Sequence, residues 1–378
     1  MEQEYKSRRK FPGWLKMLIA VILTAAILAG GFCLLMGRSG LALVEGWLLS
    51  RYAFVDTGAD LTEAADSALS GLVSGLGDRW SYYMDEEGYL ATVERRANNY
   101  VGVGITVTYE REEGLWVKAV TRDGPAEEAG IVAGDIIIAV DGTSLAGEAR
   151  YEATDLIQGE EGTTVELTLL GADGTERTVT CTRRTLRNPS ALGTLLEGNI
   201  GYVQISNFYS GAADSLREEV ERLTEEGAES LIFDVRSNPG GYTSELTAML
   251  DYLLPEGPIF TEKPRWGKEK VTRSDAACVD LPMVAIVNAD SYSAAELFAA
   301  QLRESAGVPI VGELTSGKGY YQLTYMLSNG GGIGLSAGKY CTGSGHSLIG
   351  EGIIPDVELT LSQTEDNQLQ AAIYLLLP

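Results

Sequence analysis

Histidine is almost absent from this 378-residue chain, which contains only His346. A histidine-based metal site would have to recruit distant ligands, and any serine–histidine catalytic pair would have to use this one residue. Cysteine is also scarce: Cys33, Cys181, Cys278 and Cys341 lie far apart, without a CxxC pair or metal-ligand spacing. Buried thiols that act as small hydrophobic side chains are the simpler interpretation. We therefore expect neither a metal ion nor another cofactor.

Positive charge is in deficit as well. The chain has 29 Lys and Arg residues against 53 Asp and Glu residues, which gives a formal net charge of −24. Phosphate recognition needs clustered basic side chains, so this balance argues against a nucleic-acid partner. An apolar content of 45% is ordinary for a globular protein and argues against a disordered chain.

The N-terminal sequence has the pattern of a membrane anchor. Residues 17–36 carry no charged side chain, and a helix of that length spans a hydrocarbon core of about 30 Å. Basic residues precede the run and few follow it, which predicts a cytoplasmic N-terminus, a single pass through the cell membrane, and the rest of the chain outside the cytoplasm. The alternative is a cleaved signal peptide, but the run ends in FCLLMGRSG, which lacks a small-x-small site.

Short strands dominate residues 100–184, after two predicted helices at 63–76 and 86–98. Strands are predicted at 103–109, 115–120 and 164–170, and a helix at 151–157. The aromatic cluster at residues 80–84, between the two earlier helices, is interpreted as packing.

The stretches GPAEEAG (124–130) and GDIIIAVDG (134–142) resemble a PDZ domain of the type found in bacterial proteases. The resemblance covers residues 100–184. It implies that a partner peptide adds as a strand beside residues 104–107 and that the peptide's C-terminal carboxylate meets free backbone N–H groups. The corresponding peptide-binding residues are Val101, Gly102, Val103, Gly104 and Ile105.

From about residue 186 the pattern changes to alternating strands and helices. Strands are predicted at 200–208, 283–287 and 308–312, and residues 230–241 are predicted as a near-continuous apolar strand that ends in a tight glycine turn. Helices are predicted at 211–226, 243–254 and 293–304. This order predicts an α/β domain with a largely parallel sheet, whose active site lies at the carboxyl ends of the strands.

Two residues in this domain have the pattern of catalytic groups. Ser293 begins a predicted helix after a buried strand, where unpaired backbone N–H groups can receive an oxyanion. Lys318 lies between two glycines just beyond another buried strand, and a lysine can act as a base when burial lowers its pKa. Taken alone, each residue also has a plainer interpretation, as a helix cap and as a solvated turn.

Together these stretches resemble the S41 family of C-terminal processing (tail-specific) peptidases. The S-x-S-A-x-E motif of the family is SYSAAE (291–296) here, and its G-K-G-x-x-Q motif is GKGYYQ (317–322). LGDRWSYYM (76–84), GYVQISNF (201–208), DVRSNPGG (234–241) and GEGIIPDV (350–357) also match in the family's order. The resemblance implies that Ser293 is the nucleophile, that Lys318 is the general base and that Gln322 orients the lysine.

The oxyanion hole implied by the resemblance uses the backbone N–H of Ala294 and that of Gly240 or Gly241. The chain also departs from the family, because Tyr292 stands beside the nucleophile where a small residue is commoner.

The implied fold is an α/β protease core, a crotonase/ClpP-like mixed sheet with helices, with an inserted, mostly-β PDZ domain and an N-terminal transmembrane helix. The expected domains are residues 1–37 (cytoplasmic tail and anchor), 38–99 (helical region), 100–184 (PDZ domain) and 185–378 (protease core). The expected function is an extracytoplasmic serine endopeptidase that acts on proteins or peptides with free C-termini, and a homo-oligomer is compatible with it.

Three alternatives remain open on sequence grounds. The first is a non-catalytic PDZ scaffold on the same fold. The second is a serine–histidine hydrolase that uses His346, and the third is a relative of the crotonase group that acts on acyl-CoA.

Overall fold

The computed structural model describes residues 13–52 and 60–377 of the chain. The chain divides into two compact units, residues 1–71 and 72–378. Helix α1 (Gly13–Tyr52) is interrupted by non-helical backbone at Gly37, where φ is 60°. Helix α2 (Leu61–Ser74) agrees with the helix predicted at 63–76.

The predicted membrane anchor falls within α1. Across residues 13–52 and 60–377, we find no helix that combines the length and the apolar character needed to cross a membrane.

A short strand and a helix open the second unit: β1 (Tyr82–Met84) and α3 (Glu86–Ala97). The Asp85 side chain caps α3 by accepting the Gly88 N–H at 2.8 Å. Asn98 ends the helix in the left-handed region with φ 54°, a conformation that asparagine tolerates. Its amide also donates to Ser190 Oγ at 2.9 Å, and so joins the end of α3 to the start of the core.

The predicted PDZ region forms its own small sheet. Its elements are β2 (Asn99–Gly102), β3 (Ile105–Arg111), β4 (Gly114–Val120), α4 (Pro125–Glu128), β5 (Ile136–Val140), β6 (Thr143–Ser144), a 3₁₀ helix (Gly147–Glu152), α5 (Ala153–Ile157), β7 (Thr164–Leu170), β8 (Glu176–Thr182) and β9 (Arg184–Arg187). The strand order is β3-β4-β5-β7-β8, with β6 beside β5, so β3 lies at an edge. Alternate residues of β7, such as Leu167 and Leu169, are fully buried, as expected for a sheet with one covered face. The antiparallel pair β2–β9 joins this region to the rest of the unit.

The remaining residues build the core. Its elements are β10 (Ala191–Leu196), β11 (Ile200–Ile205), α6 (Ala212–Glu225), β12 (Ser230–Asp234), α7 (Thr243–Leu253), β13 (Gly257–Pro264), β14 (Lys270–Ser274), β15 (Met283–Val287), α8 (Ala294–Ala306), β16 (Ile310–Gly312), β17 (Tyr320–Met326), β18 (Gly332–Thr342), β19 (Val357–Glu358) and α9 (Asn367–Leu376).

One core sheet has the order β10-β11-β12-β15-β16-β19 and is parallel from β11 to β19, which confirms the largely parallel sheet. Every residue of β12 and β15 is buried, as expected when helices cover both faces. A second, antiparallel sheet has the order β1-β18-β13-β14, with β17 paired to β18. The core therefore contains mixed sheets and helices, as the sequence predicts.

Candidate active site

Three loops that follow neighbouring parallel strands form the candidate site. Strands β12, β15 and β16 lie side by side, so the segments that leave their carboxyl ends meet at one edge of the sheet. These segments are the NPGG turn (238–241), the approach to Ser293 and the loop that carries Lys318. The predicted catalytic motifs are thus brought to the same edge.

Ser293 is the N-cap of α8 and has an unusual backbone conformation, with φ 63° and ψ −118°. A positive φ is costly for a residue with a side chain and persists only when the surroundings enforce it. The backbone of Gly240 packs directly against this turn. A Cβ built on Gly240 would lie 2.9 Å from the Ala294 nitrogen and 3.0 Å from Ser293 Cβ, which is too close. Only a glycine can approach the serine turn this closely.

Glu296 joins the two predicted catalytic segments through one fully buried carboxylate. Its Oε2 accepts the backbone N–H of Ser293 and that of Lys318, each at 2.9 Å. Its Oε1 accepts the hydroxyl of Thr315 at 2.6 Å and the N–H of Gly317 at 2.7 Å. A buried carboxylate needs hydrogen-bond donors around it. Here the donors come from both predicted catalytic segments, the one that contains Ser293 and the one that contains Lys318.

The amine of Lys318 lies in an environment that favours its neutral form. Burial lowers the pKa of Lys318 to about 8, and the positive charge of Arg96 acts in the same direction, while Glu296 and Asp78 raise it. A much larger fraction of the side chain is therefore free base near neutral pH than for an ordinary lysine.

Two aromatic rings lie beside this amine. Lys318 Nζ is 4.8 Å from the ring centroid of Trp80 and 5.2 Å from that of Tyr292. Trp80 belongs to the aromatic cluster at residues 80–84, for which the sequence predicts packing alone, and its contact with the predicted base is an additional finding of the structure.

Gln322 lines a cavity of about 420 Å³, together with Gly241, Arg96 and Tyr321. Its amide group donates to the carbonyl of Tyr320 at 3.1 Å and to Ser336 Oγ at 3.2 Å. Its predicted role in orienting the lysine stays a prediction, because these two bonds use the NH2 group, whereas the Oε1 atom is the one that would accept a hydrogen bond from the lysine.

The two glycines predicted for the oxyanion hole differ in their surroundings. Gly240 is buried and donates its N–H to Asn238 Oδ1 at 2.8 Å. Gly241 is exposed and lines the cavity. Between the two, this geometry favours the amide of Gly241 as the partner of the Ala294 N–H.

Two other candidate side chains have structural contacts instead. The hydroxyl of Ser291 is buried and donates to the Val235 carbonyl at 2.7 Å. Within the described residues, His346 contacts Thr342 and Glu351, and Ser293 is not among its hydrogen-bond partners. The serine–histidine alternative therefore lacks geometric support.

The predicted peptide-binding residues lie at the start of the PDZ sheet. Val101 and Gly102 pair with β9, and Ile105 begins the edge strand β3. The carbonyls of Val103 and Gly104 accept the N–H groups of Ala126 and Thr121.

The backbone N–H groups of Val103 and Gly104 have no acceptor in the part of the chain that the structure describes. Both residues are buried, and their N–H groups are the donors that a terminus-binding site would offer to a carboxylate. Gly104 has a φ of 82°, which a glycine adopts without strain.

Glu296, Arg96 and Trp80 were not assigned a role from the sequence. Glu296 is part of the quoted SYSAAE motif, so its position was visible although its contacts were not. Arg96 and Trp80 lie far from the two motifs in sequence, and only the folded chain brings them to Lys318.

Comparisons with known proteins agree with these motifs. Residues 199–359 match the model of peptidase family S41, and residues 116–171 match a PDZ-domain model. The carboxy-terminal processing protease CtpA of Bacillus subtilis is 32% identical over 304 residues, which cover 80% of this chain and 65% of that protein. This chain thus spans slightly less than two thirds of the length of that relative.

Two further similarities extend the comparison. The carboxyl-terminal-processing protease of Synechocystis sp. is 31% identical over 348 residues, which cover 88% of this chain and 81% of that protein. The solved structure of a photosystem II D1 C-terminal processing protease matches with a TM-score of 0.46 and 30% identity, over 82% of this chain and 85% of the other.

Proposed function

This chain belongs to peptidase family S41 and is a serine-type protease, and from this premise we propose that it is an endopeptidase that cuts proteins selected by their C-termini, with Ser293 as nucleophile and Lys318 as base. The observation that carries the proposal is the shared Glu296 oxygen, which fixes the backbone of both residues at one site.

In the first step, Lys318 as a neutral amine accepts the proton of the Ser293 hydroxyl while the serine oxygen attacks the carbonyl carbon of the scissile bond. The carbonyl oxygen gains the negative charge. The N–H groups of Ala294 and Gly241 would stabilise that charge, helped by the N-terminus of α8.

In the second step, the tetrahedral intermediate collapses, the carbon–nitrogen bond breaks, and the protonated Lys318 returns its proton to the leaving amine. A water molecule then attacks the acyl-serine ester while Lys318 takes one of its protons. The bond between the acyl carbon and the Ser293 oxygen breaks, Lys318 returns the proton to that oxygen, and the second product leaves with a free carboxylate.

Selection by C-terminus is supported by the PDZ region. The free N–H groups of Val103 and Gly104 can bind a carboxylate, and the edge of β3 can pair with an extended peptide. The substrate class is therefore unfolded or extended polypeptide with a free C-terminal carboxylate.

The proposal is tested by cleavage of a C-terminally tagged, unfolded substrate and by labelling with a fluorophosphonate. Ser293→Ala should abolish both, because the attacking oxygen is removed. Ser291→Ala is the control, since that hydroxyl holds the Val235 carbonyl, and it should cost far less activity. Cleavage by Ser293→Ala at the wild-type rate would refute the assignment.

A non-catalytic PDZ scaffold would show neither cleavage nor labelling in the wild-type protein, which separates it from the protease. His346→Ala should retain activity, whereas a loss as large as that of Ser293→Ala would favour the serine–histidine alternative.

An anchored, extracytoplasmic location is a further part of the proposal, and its support is the sequence of residues 6–36 alone. Cys278 offers a test, since it is exposed whereas Cys181 and Cys341 are buried. A membrane-impermeant maleimide should label intact cells at Cys278, and Cys278→Ser should remove that signal. Labelling that occurs only after lysis would place this part of the chain inside the cell.

A further inference from the structure

Some neighbours of Lys318 disfavour the protonated form of its amine and others favour it. Burial and the charge of Arg96 disfavour its ammonium form, whereas the faces of aromatic rings attract a cation within about 6 Å. Trp80 and Tyr292 both meet that distance, and their centroids are 6.2 Å apart with planes inclined by 30°. The two rings thus form an aromatic pair beside one ammonium group.

The position of Trp80 is fixed by its neighbours. The Trp80 backbone N–H donates to Asp78 Oδ1 at 3.1 Å. The guanidinium carbon of Arg79 lies 4.2 Å from the Trp80 ring centroid, and Arg79 Nη2 donates to the Ser316 carbonyl at 3.1 Å. Arg79 therefore joins the tryptophan segment to the loop that carries Lys318.

The amine is not engaged with its predicted catalytic partners. Among the described residues, Lys318 Nζ donates no hydrogen bond to Ser293 or to Gln322, and the Gln322 amide donates elsewhere. The contacts that the described part of the chain shows for this amine are thus with the two ring faces.

We propose that Trp80 and Tyr292 form an aromatic cage that holds the ammonium of Lys318 in a resting position, from which it must leave before it can accept the proton of Ser293. The inference rests on the proposed role of Lys318 as base. Trp80 and Tyr292 are positioning residues, since they act on the reaction through the lysine. The charged groups that act on the caged amine are Arg96 on α3, Asp78 before β1 and Glu296 on α8, and the guanidinium of Arg79 stacks on the Trp80 ring of the cage itself.

Fluorination of Trp80 tests the cage directly, because it withdraws charge from the ring face with little change in shape. Lysine labelled with ¹³C at Cε reports its own protonation by NMR, and Lys318→Met identifies the relevant signal. The titration midpoint of Lys318 should fall stepwise with added fluorines, by about 0.4 to 1.5 units in total. The same fluorotryptophans at the exposed Trp266 are the matched control and should leave the midpoint unchanged. A midpoint that stays constant or rises in the Trp80 series overturns the cage.

Tyr292 gives a second test with ordinary substitutions. Tyr292→Phe keeps a ring and should keep the midpoint, whereas Tyr292→Leu keeps apolar bulk without a ring face and should lower it. With more free base available, kcat/KM of Tyr292→Leu at pH 7 should rise about two- to threefold. An unchanged midpoint in Tyr292→Leu would remove this residue from the cage.

The two readouts separate the cage from the protease proposal. A wild-type protein that cleaves nothing, but whose Lys318 midpoint falls on fluorination, would refute the protease and keep the cage. Normal cleavage with a midpoint insensitive to Trp80 and Tyr292 would refute the cage and keep the protease.

Discussion

The backbone amides of Ser293 and Lys318 donate to the same atom, Oε2 of Glu296, and both distances are 2.9 Å. One buried carboxylate thus sets the separation between the Ser293 segment and the Lys318 segment. Its charge is balanced by hydrogen bonds from main-chain and hydroxyl donors, which makes the site sensitive to any change at this position.

Glu296→Gln should impair catalysis strongly while leaving most of the fold intact. The substitution keeps the side-chain shape but removes the charge and turns one acceptor into a donor, which then faces N–H groups. Hydrogen bonds to charged groups contribute about 1.5–3 kcal/mol each, so we expect kcat/KM to fall by about tenfold to a hundredfold or more. Steady-state cleavage assays measure the effect, with circular dichroism as the check on folding.

Glu304→Gln is the matched control for this prediction. Glu304 lies on the same helix, is exposed, and accepts the N–H and hydroxyl of Ser344 away from the catalytic motifs. It should change kcat/KM by less than about twofold. If Glu296→Gln also stays within this range, the carboxylate is not needed to align the two segments.

Lys318 should give the protease a basic pH profile. Only the neutral amine can accept the serine proton, so kcat/KM should rise with pH through a midpoint near 8, the lowered pKa of this side chain. Lys318→Arg keeps the charge but stays protonated, so it should lose about a hundredfold or more of the activity, as should Lys318→Met. Lys268→Arg, at an exposed position, is the control. An active Lys318→Arg enzyme would mean that the residue contributes charge and not proton transfer.

Much of the core was predictable because its periodicities are clear. The strand predicted at 283–287 is observed as Met283–Val287, since five consecutive apolar residues are typical of a central parallel strand. The helix predicted at 211–226 is observed as Ala212–Glu225. The stretch 230–241, predicted as a strand that ends in a glycine turn, is observed as the strand Ser230–Asp234 followed by a loop, where Asp234 accepts a hydrogen bond from Arg236 Nε at 3.0 Å.

The environment of Lys318, the proposed base, was less predictable. The two glycines around Lys318 indicated a tight loop, and its position after a buried strand indicated a partly desolvated amine. The contact with Trp80 depends on how a segment more than two hundred residues away folds back, since β1 pairs with β18 beside that loop. Local periodicity contains no information on such a pairing.

The C-terminal carboxylate of a substrate peptide should control how tightly the peptide binds to this protein. Amidation removes the negative charge that the free N–H groups of Val103 and Gly104 would bind, so an amidated substrate should show a KM about tenfold higher, with a smaller change in kcat. Gly104→Ala strains a backbone with φ 82° and should reduce the difference between free acid and amide. Equal KM values for both substrates with the wild-type protein would show that the terminus is not recognised.

Asp366 should hold the C-terminal helix against the catalytic sheet. Both of its oxygens accept hydrogen bonds from Arg236, at 2.8 and 3.0 Å, and its side chain also caps α9 by accepting the Leu369 N–H at 2.9 Å. Asp366→Asn keeps a good capping group but removes the charge. Loss of this partly exposed pair should cost about 1 kcal/mol, so the amides of α9 should exchange with deuterium about fivefold faster.

The pH dependence of this exchange distinguishes the ion pair from the cap. Burial opposes ionisation of Asp366, but hydrogen bonds from Arg236 outweigh it and lower the pKa of the carboxyl below its ordinary value of 3.8. A carboxyl with a lowered pKa stabilises the folded state above that value and loses this contribution as the pH falls below it. The difference between wild type and Asp366→Asn should therefore be full at neutral pH and shrink below 3.8. Asp366→Ala removes the cap as well, so the amides of α9 in this variant should still exchange faster than in the wild type at low pH. If Asp366→Asn exchanges like the wild type at pH 7, the ion pair does not stabilise the packing of α9.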